Sequence, residues 1–155
     1  MDFSSPFENG LRAAATAAKN REEVAHVFAQ FNASLEKLSN GTAEVFIGDD
    51  SLSLNALARA VGSLTNTPSQ LAIMVRNPKS PSFLPRKIAG WKQGEQGYPC
   101  TIASDSRVAS CDGLESLVRE LSNLFGSAKA GEAISAAMSH ASTPAGVVPH
   151  AGPSP

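Results

Sequence analysis

With 155 residues, 42% of them apolar, and 13 basic against 14 acidic side chains, the chain is long enough for one globular domain with its own core and too short for two of ordinary size. It has no run of about 18 apolar residues to span a bilayer, and its first residues, Met-Asp-Phe-Ser-Ser, have neither the basic start nor the apolar stretch of a secretory signal, so a cytoplasmic protein with no membrane contact is expected. Cys100 and Cys111 are then expected as reduced thiols, and without further ligands at zinc-type spacing they make no metal centre.

From residue 6 to 18, Phe7, Leu11, Ala14, Ala15 and Ala18 recur at helical spacing in an Ala-rich stretch with little bulk to bury, which reads as a short docking helix. A second helix is predicted over 20–39. Asn20 and Glu23 form a capping-box pattern at its start, Val24, Val27, Phe28, Phe31, Leu35 and Leu38 trace its apolar stripe, and Asn40-Gly41 ends it. His26 lies beside that stripe with no partner suggested by the pattern and reads as a boundary residue. Residues 42–47 alternate as a short strand that stops at Gly48-Asp49-Asp50.

Ser53 can cap a helix over 53–62 with Leu54, Leu57, Ala58 and Val61 on one face. Pro68 can open another over 68–76, although Leu71 to Val75 suits a buried strand equally well, and periodicity leaves both open. Three prolines between 77 and 85 exclude regular structure there. Strands follow over 86–91 and 98–103 around a glycine-bearing tip, and a third over 107–111 follows an Asp105-Ser106 turn that sets Cys100 opposite Cys111 at a hydrogen-bonded pair, wider than a cross-strand disulfide prefers. Asp112 and Glu115 pattern as a capping box for a helix striped by Leu114, Leu117, Val118, Leu121, Leu124 and Phe125. Past a break at Gly126 a second helical piece runs over 128–138. Residues 1–140 are expected as one globular domain, and 141–155, with four prolines, as a disordered tail.

The net charge of −1 conceals an asymmetry. Between Ser51 and Gly94 there is no Asp or Glu, while Arg59, Arg76, Lys79, Arg86, Lys87 and Lys92 all fall there; every one of the 14 acids lies outside. A positive middle points to an anionic partner.

Two pieces inside this window, Leu57-Ala58-Arg59-Ala60-Val61-Gly62 and Lys87-Ile88-Ala89-Gly90-Trp91 with Tyr98, are similar to the first helix and turn glycine, and to the wing strands, of winged helix-turn-helix DNA-binding domains. The resemblance covers about half the chain, and Leu71, nine residues after Gly62, implies a longer turn than that family uses. It implies an α+β, winged-helix-like fold of helices with a small antiparallel sheet or hairpin, and a regulatory, DNA-binding role. Arg59, Arg76, Lys79, Arg86, Lys87 and Lys92 would then meet phosphates, while Ser69, Gln70 and Gln93 would meet bases or backbone. Phe83, Trp91 and Tyr98 would be core residues or, if exposed, a stacking platform for single-stranded nucleic acid. A homodimer through the 112–138 helices would match paired half-sites.

The alternative is an antiparallel meander that includes Leu71 to Val75, with helices on one face, forming a protein-binding adaptor, inhibitor or chaperone that uses an exposed sheet edge or the 114–125 stripe. Residues 69–76 discriminate: a helix there favours DNA, and a strand favours a protein partner. No enzyme or cofactor is expected, since no phosphate-cradling glycine loop or nucleophile–base pairing is evident. A thiol activated by Arg107 and an ion held by Asp49-Asp50 are the minor readings.

Overall fold

A computed structural model of the protein describes residues 1–52 and 70–140. The predicted 53–62 helix, the start of the 68–76 segment and the 141–155 tail lie outside the described residues.

The chain is α+β. A 36-residue helix, α1 (Ser4–Ser39), leads into β1 (Glu44–Asp49) and a single 3-10 turn, Asp50–Leu52. Strands β2 (Leu71–Arg76), β3 (Arg86–Gln93), β4 (Cys100–Ala103) and β5 (Val108–Cys111) follow, and helices α2 (Leu114–Phe125) and α3 (Ala128–Ser139) close the described fold. The five strands form one antiparallel sheet in the order β1-β2-β3-β4-β5, a plain meander. The three described helices pack on one face, where Val24, Phe28 and Leu35 of α1, Leu117, Leu121 and Leu124 of α2 and the alanines of α3 meet Val45, Ile73, Val75, Trp91 and Ile102. Among the described residues the arrangement is that of the alternative architecture, an antiparallel meander with helices on one face.

Three elements differ from the sequence-based expectation, the least of them β1, predicted over 42–47 and stopping at Gly48 but observed over Glu44–Asp49. The first larger difference is in α1. The predicted break before Asn20 is absent, and α1 runs unbroken from Ser4. Between Leu11 and Ser39 no Gly or Pro interrupts it, and the alanine run at 13–18 has high helix propensity. Asn20 and Glu23 make no capping box. Asn20 Nδ2 donates to the Gln96 carbonyl (2.9 Å) and Glu23 accepts from the Tyr98 hydroxyl (2.8 Å), so both hold the β3–β4 tip. Gly97 in that tip has φ +89°, and a Cβ there would come within 2.5 Å of the Asn20 Cβ, so only glycine suits both the turn and the close approach.

The second difference concerns the segment that the sequence leaves open between helix and strand. Residues 71–76 are strand, not the predicted helix: Ala72, Ile73, Met74 and Val75 are all buried, with Val45 and Ile47 of β1 opposite Val75 and Ile73. A run buried on both faces reads as continuous hydrophobicity and loses the alternation that marks a half-exposed strand. A bulge opposite Ile73 and Met74 adds Ile88 to β3, and it leaves both Lys87 and Gly90 on the face away from the helices.

The remaining elements follow expectation closely. Asn40 (φ 53°) ends α1 in the left-handed conformation, and Gly41 N–H bonds back to the Glu36 carbonyl. Pro99 has no N–H to offer, and β4 begins after it. Part of the α2 stripe is core, with Leu117 and Leu121 fully buried, Leu124 buried and Phe125 edge-on to Phe31 at 4.8 Å, whereas Leu114 and Val118 at its edge are exposed. Its start is capped by Gly113 N–H donating to Ser116 Oγ (3.2 Å), in place of the predicted Asp112–Glu115 box. Ser127 caps α3, accepting from Ala130 N–H at 3.3 Å, so the expected break lies at Gly126-Ser127. No helix among the described residues is long and apolar enough to cross a membrane.

Candidate functional site

The two outer strands of the meander end the sheet in different ways. The Asp50 N–H to Gln70 carbonyl bond (2.8 Å) sets the alternation along β1, so Val45, at a non-hydrogen-bonded pair with Val75, turns its backbone groups outward. Asn32 of α1 takes both: its Oδ1 accepts from Val45 N–H (2.8 Å) and its Nδ2 donates to the Val45 carbonyl (2.7 Å). A side-chain amide thus occupies the place another strand would take, and Val45 is buried.

The opposite edge carries no such cap. The Ser104 N–H to Arg107 carbonyl bond (2.9 Å) fixes the register of the β4–β5 turn, and by alternation Val108 and Ser110 point their N–H and C=O groups away from β4. Among the described residues nothing hydrogen-bonds to those four groups from outside the sheet. Val108 is 69% exposed, and Ser110 is exposed too.

Beside this edge lies a cavity of about 210 Å³ with an apolar floor of Ile88, Ile102 and Leu124. Ala109 belongs to both cavity and β5, and Arg107, which also lines the cavity, immediately precedes that strand. Its rim carries two ion pairs, Arg107–Glu120 and Lys129–Asp105 (2.9 Å). The Lys129 ammonium beside Asp105 holds that carboxyl below its usual range. The cavity suits one apolar side chain passing a neutralised polar rim.

The residues assigned to nucleic acid are distributed differently. Arg59 and Ser69 lie outside the described residues. Gln70 is exposed just before β2, and Gln93 donates to the Gly97 carbonyl (3.3 Å). Arg76, Lys87 and Lys92 share the face away from the helices, since Met74 pairs with Lys87 and Ala72 with Gly90. Arg76 is paired with Glu44 (2.7 Å) and lies 4.6 Å over the Phe46 ring; Lys87 is paired with Asp50 (3.0 Å). Lys79 donates to the Asn40 carbonyl (2.8 Å). Only Arg86 and Lys92, of the described cations in the acid-free window, are without such a contact among the described residues.

The aromatics of the stacking reading belong to the interior. Trp91 is buried edge-on to Phe28 (5.4 Å), Phe83 packs on His140 (5.4 Å), and the Tyr98 hydroxyl is committed to Glu23; burial and then that carboxylate push its pKa up.

Cys100 and Cys111 face each other as free, buried thiols, as the register predicts. Burial, with Cys111 nearby, pushes Cys100 up to about 11, and burial raises Cys111 as well, the opposite of an activated nucleophile. No group of three or more His, Cys, Asp or Glu converges among the described residues to hold a metal ion.

Sequence reasoning missed Asn32, Val108 and Ser110. The signal for Asn32 was faint, a carboxamide on the flank of the Phe28–Phe31–Leu35 stripe in a helix with ample alanine. Compared with models of known protein families, with curated proteins and with solved structures, the chain matches none of them.

Proposed function

We propose that the protein is a protein-binding module that takes an extended segment of its partner as an added strand along β5, with one apolar side chain of that segment seated in the neighbouring cavity. The observation that carries this reading is the uncapped edge at Val108 and Ser110, set against the amide-capped edge at Val45. Main-chain hydrogen bonds would supply affinity and the cavity would select the side chain, which is how strand addition divides the work. The strand at 71–76 supports it, because a buried strand takes the place of the helix that a major-groove reader needs. Local pairing of Arg76 and Lys87 supports it as well, since those charges are already neutralised by Glu44 and Asp50.

The test is selection of peptides from a random library on the wild-type chain, followed by titration of the selected peptide into wild type and Ser110→Pro. Proline at 110 removes an outward N–H while sparing the ladder to β4. Loss of binding by a folded Ser110→Pro protein is the expected result. Equal binding by both would overturn the β5 assignment. Salt-dependent binding of random duplex DNA, abolished by Arg86→Ala with Lys92→Ala, would restore the nucleic-acid reading.

A further inference from the structure

Among the described residues, no hydrogen bond or ion pair ties residues 1–16 to the sheet or to the other helices. Every residue from Met1 to Thr16 is exposed, so Ser4 to Thr16 projects about 20 Å beyond the body at 1.5 Å per residue. Yet this arm is not a polar helix: Phe7 is 71% exposed and Leu11 73%, and with Ala14 and Ala18 they recur at steps of four, three and four residues, the spacing of a coiled-coil seam. At 3.6 residues per turn this seam sits roughly 100° around the axis from the Val24–Phe28–Leu35 line that docks on the sheet. The arm and the body therefore present different faces of one continuous helix.

We infer that this arm pairs antiparallel with the arm of a second copy, making the protein a two-fold symmetric dimer. The order of large and small residues argues for a second copy over any other occupant. In an antiparallel pair, layers combine residues from the two halves of the seam: Phe7 of each copy meets Ala18 of the other, and Leu11 meets Ala14. All four layers set one large side chain against one small one, so they fill evenly and the helices stay close. A parallel pair would stack Phe7 on Phe7 and Leu11 on Leu11 but alanine on alanine at 14 and 18, wedging the helices apart at one end and leaving them loose at the other. The arm is thus complementary to its own reverse, as a two-fold interface requires.

Charge agrees with the same register. Glu8 and Lys19 lie on one flank of the seam, and in an antiparallel pair like flanks meet. At this register Glu8 of one copy lies within about 3 Å, measured along the axis, of Lys19 of the other, and symmetry makes two such pairs. Exposed pairs of this kind fix register more than they add affinity. Counting Phe3, the N-cap residue that lies opposite Glu22 at the end of this register, the two copies would bring four phenylalanines and two leucines to the interface. At roughly 150–250 Å² for each aromatic, the phenylalanines bury about 600–1,000 Å², the size of a weak and reversible interface, and a micromolar dimer is expected.

Sedimentation velocity on the full chain across the micromolar range tests this. Wild type is expected to shift from monomer to dimer with concentration, and Leu11→Glu to stay monomeric while the near-ultraviolet circular dichroism of the buried Trp91 is unchanged. A wild type that is monomeric throughout, or a Leu11→Glu protein that still dimerises, would overturn the inference. The charge variants test the direction of pairing: Glu8→Lys or Lys19→Glu alone should weaken the dimer several-fold, and the two together should restore it. A double variant weaker than either single one would overturn the antiparallel register.

Discussion

The two ends of the sheet solve one physical problem differently. Each outer strand has a row of backbone groups with no neighbour, which is a template for another chain. At β1 the row is interrupted by Asn32, which reproduces the donor–acceptor pair of a strand and buries Val45 beneath α1. At β5 the strand is only four residues long, and Val108 and Ser110 face solvent. Short length limits accidental pairing at β5 without preventing a chosen partner from adding a strand there. The contrast is local: a side-chain amide closes β1 at Val45, whereas Val108 and Ser110 of β5 have no such cap among the described residues.

Breaking the closed edge should have the largest effect. Asn32→Leu removes both partners of Val45 at once, and with about 1–3 kcal/mol for each buried group left unpaired, the loss should be about 2–4 kcal/mol, read as a lower urea midpoint with an unchanged slope. Concentration-dependent aggregation of that variant would show in addition that the amide blocks edge pairing.

Next in size is a proline at Ala109, whose partner is Ile102 at a hydrogen-bonded pair, so that a ladder bond is lost; about 2–3 kcal/mol is expected. Ser110→Pro, one residue on, should cost less than about 1 kcal/mol in the same urea titration because its N–H points outward. A reversed order for these two would mean that the outward set on β5 is Ala109 and Cys111.

A smaller effect comes from the thiols that join β4 to β5. Because burial raises the Cys100 thiol to about 11, its contribution to stability is complete below the pKa of an exposed thiol, near 9, and is lost as pH climbs from there through 11. Urea midpoints across that interval should fall in wild type and fall less in Cys100→Ala, and amide exchange in β5 should rise before exchange in β1.

The smallest effect concerns the charges. Arg86→Ala and Lys92→Ala together should shift stability by no more than about 0.5 kcal/mol, because neither side chain has an ion-pair partner among the described residues. Lys87→Ala should cost more than either, through Asp50.

Local patterns that act at short range were legible in the sequence. The β3–β4–β5 meander, the Cys100–Cys111 register, the irregular proline-rich loop and the α2 stripe follow from alternation, turn residues and helical period. Three features depend on distant residues and were not. Ala72 to Val75 is buried on both faces, which erases the period that separates strand from helix. The acid-free window looked like a positive surface because its counter-charges, Glu44 and Asp50, precede it in the chain and reach it only across the sheet. Asn32 gains its role only when α1 lies along β1. The arm was legible as a helix but read as a docking one, whereas every residue from Met1 to Thr16 is exposed, which only the fold reveals.

Amide hydrogen exchange at Val45, Val108 and Ser110, followed with and without a peptide selected on the wild-type chain, tests the central claim most directly. In the free protein Val45 should exchange slowly, held by Asn32, and Val108 and Ser110 fast. With peptide bound, Val108 and Ser110 should become protected while Val45 does not change. Slow exchange at Val108 and Ser110 in the free protein, or no change there on saturation with peptide, would contradict it.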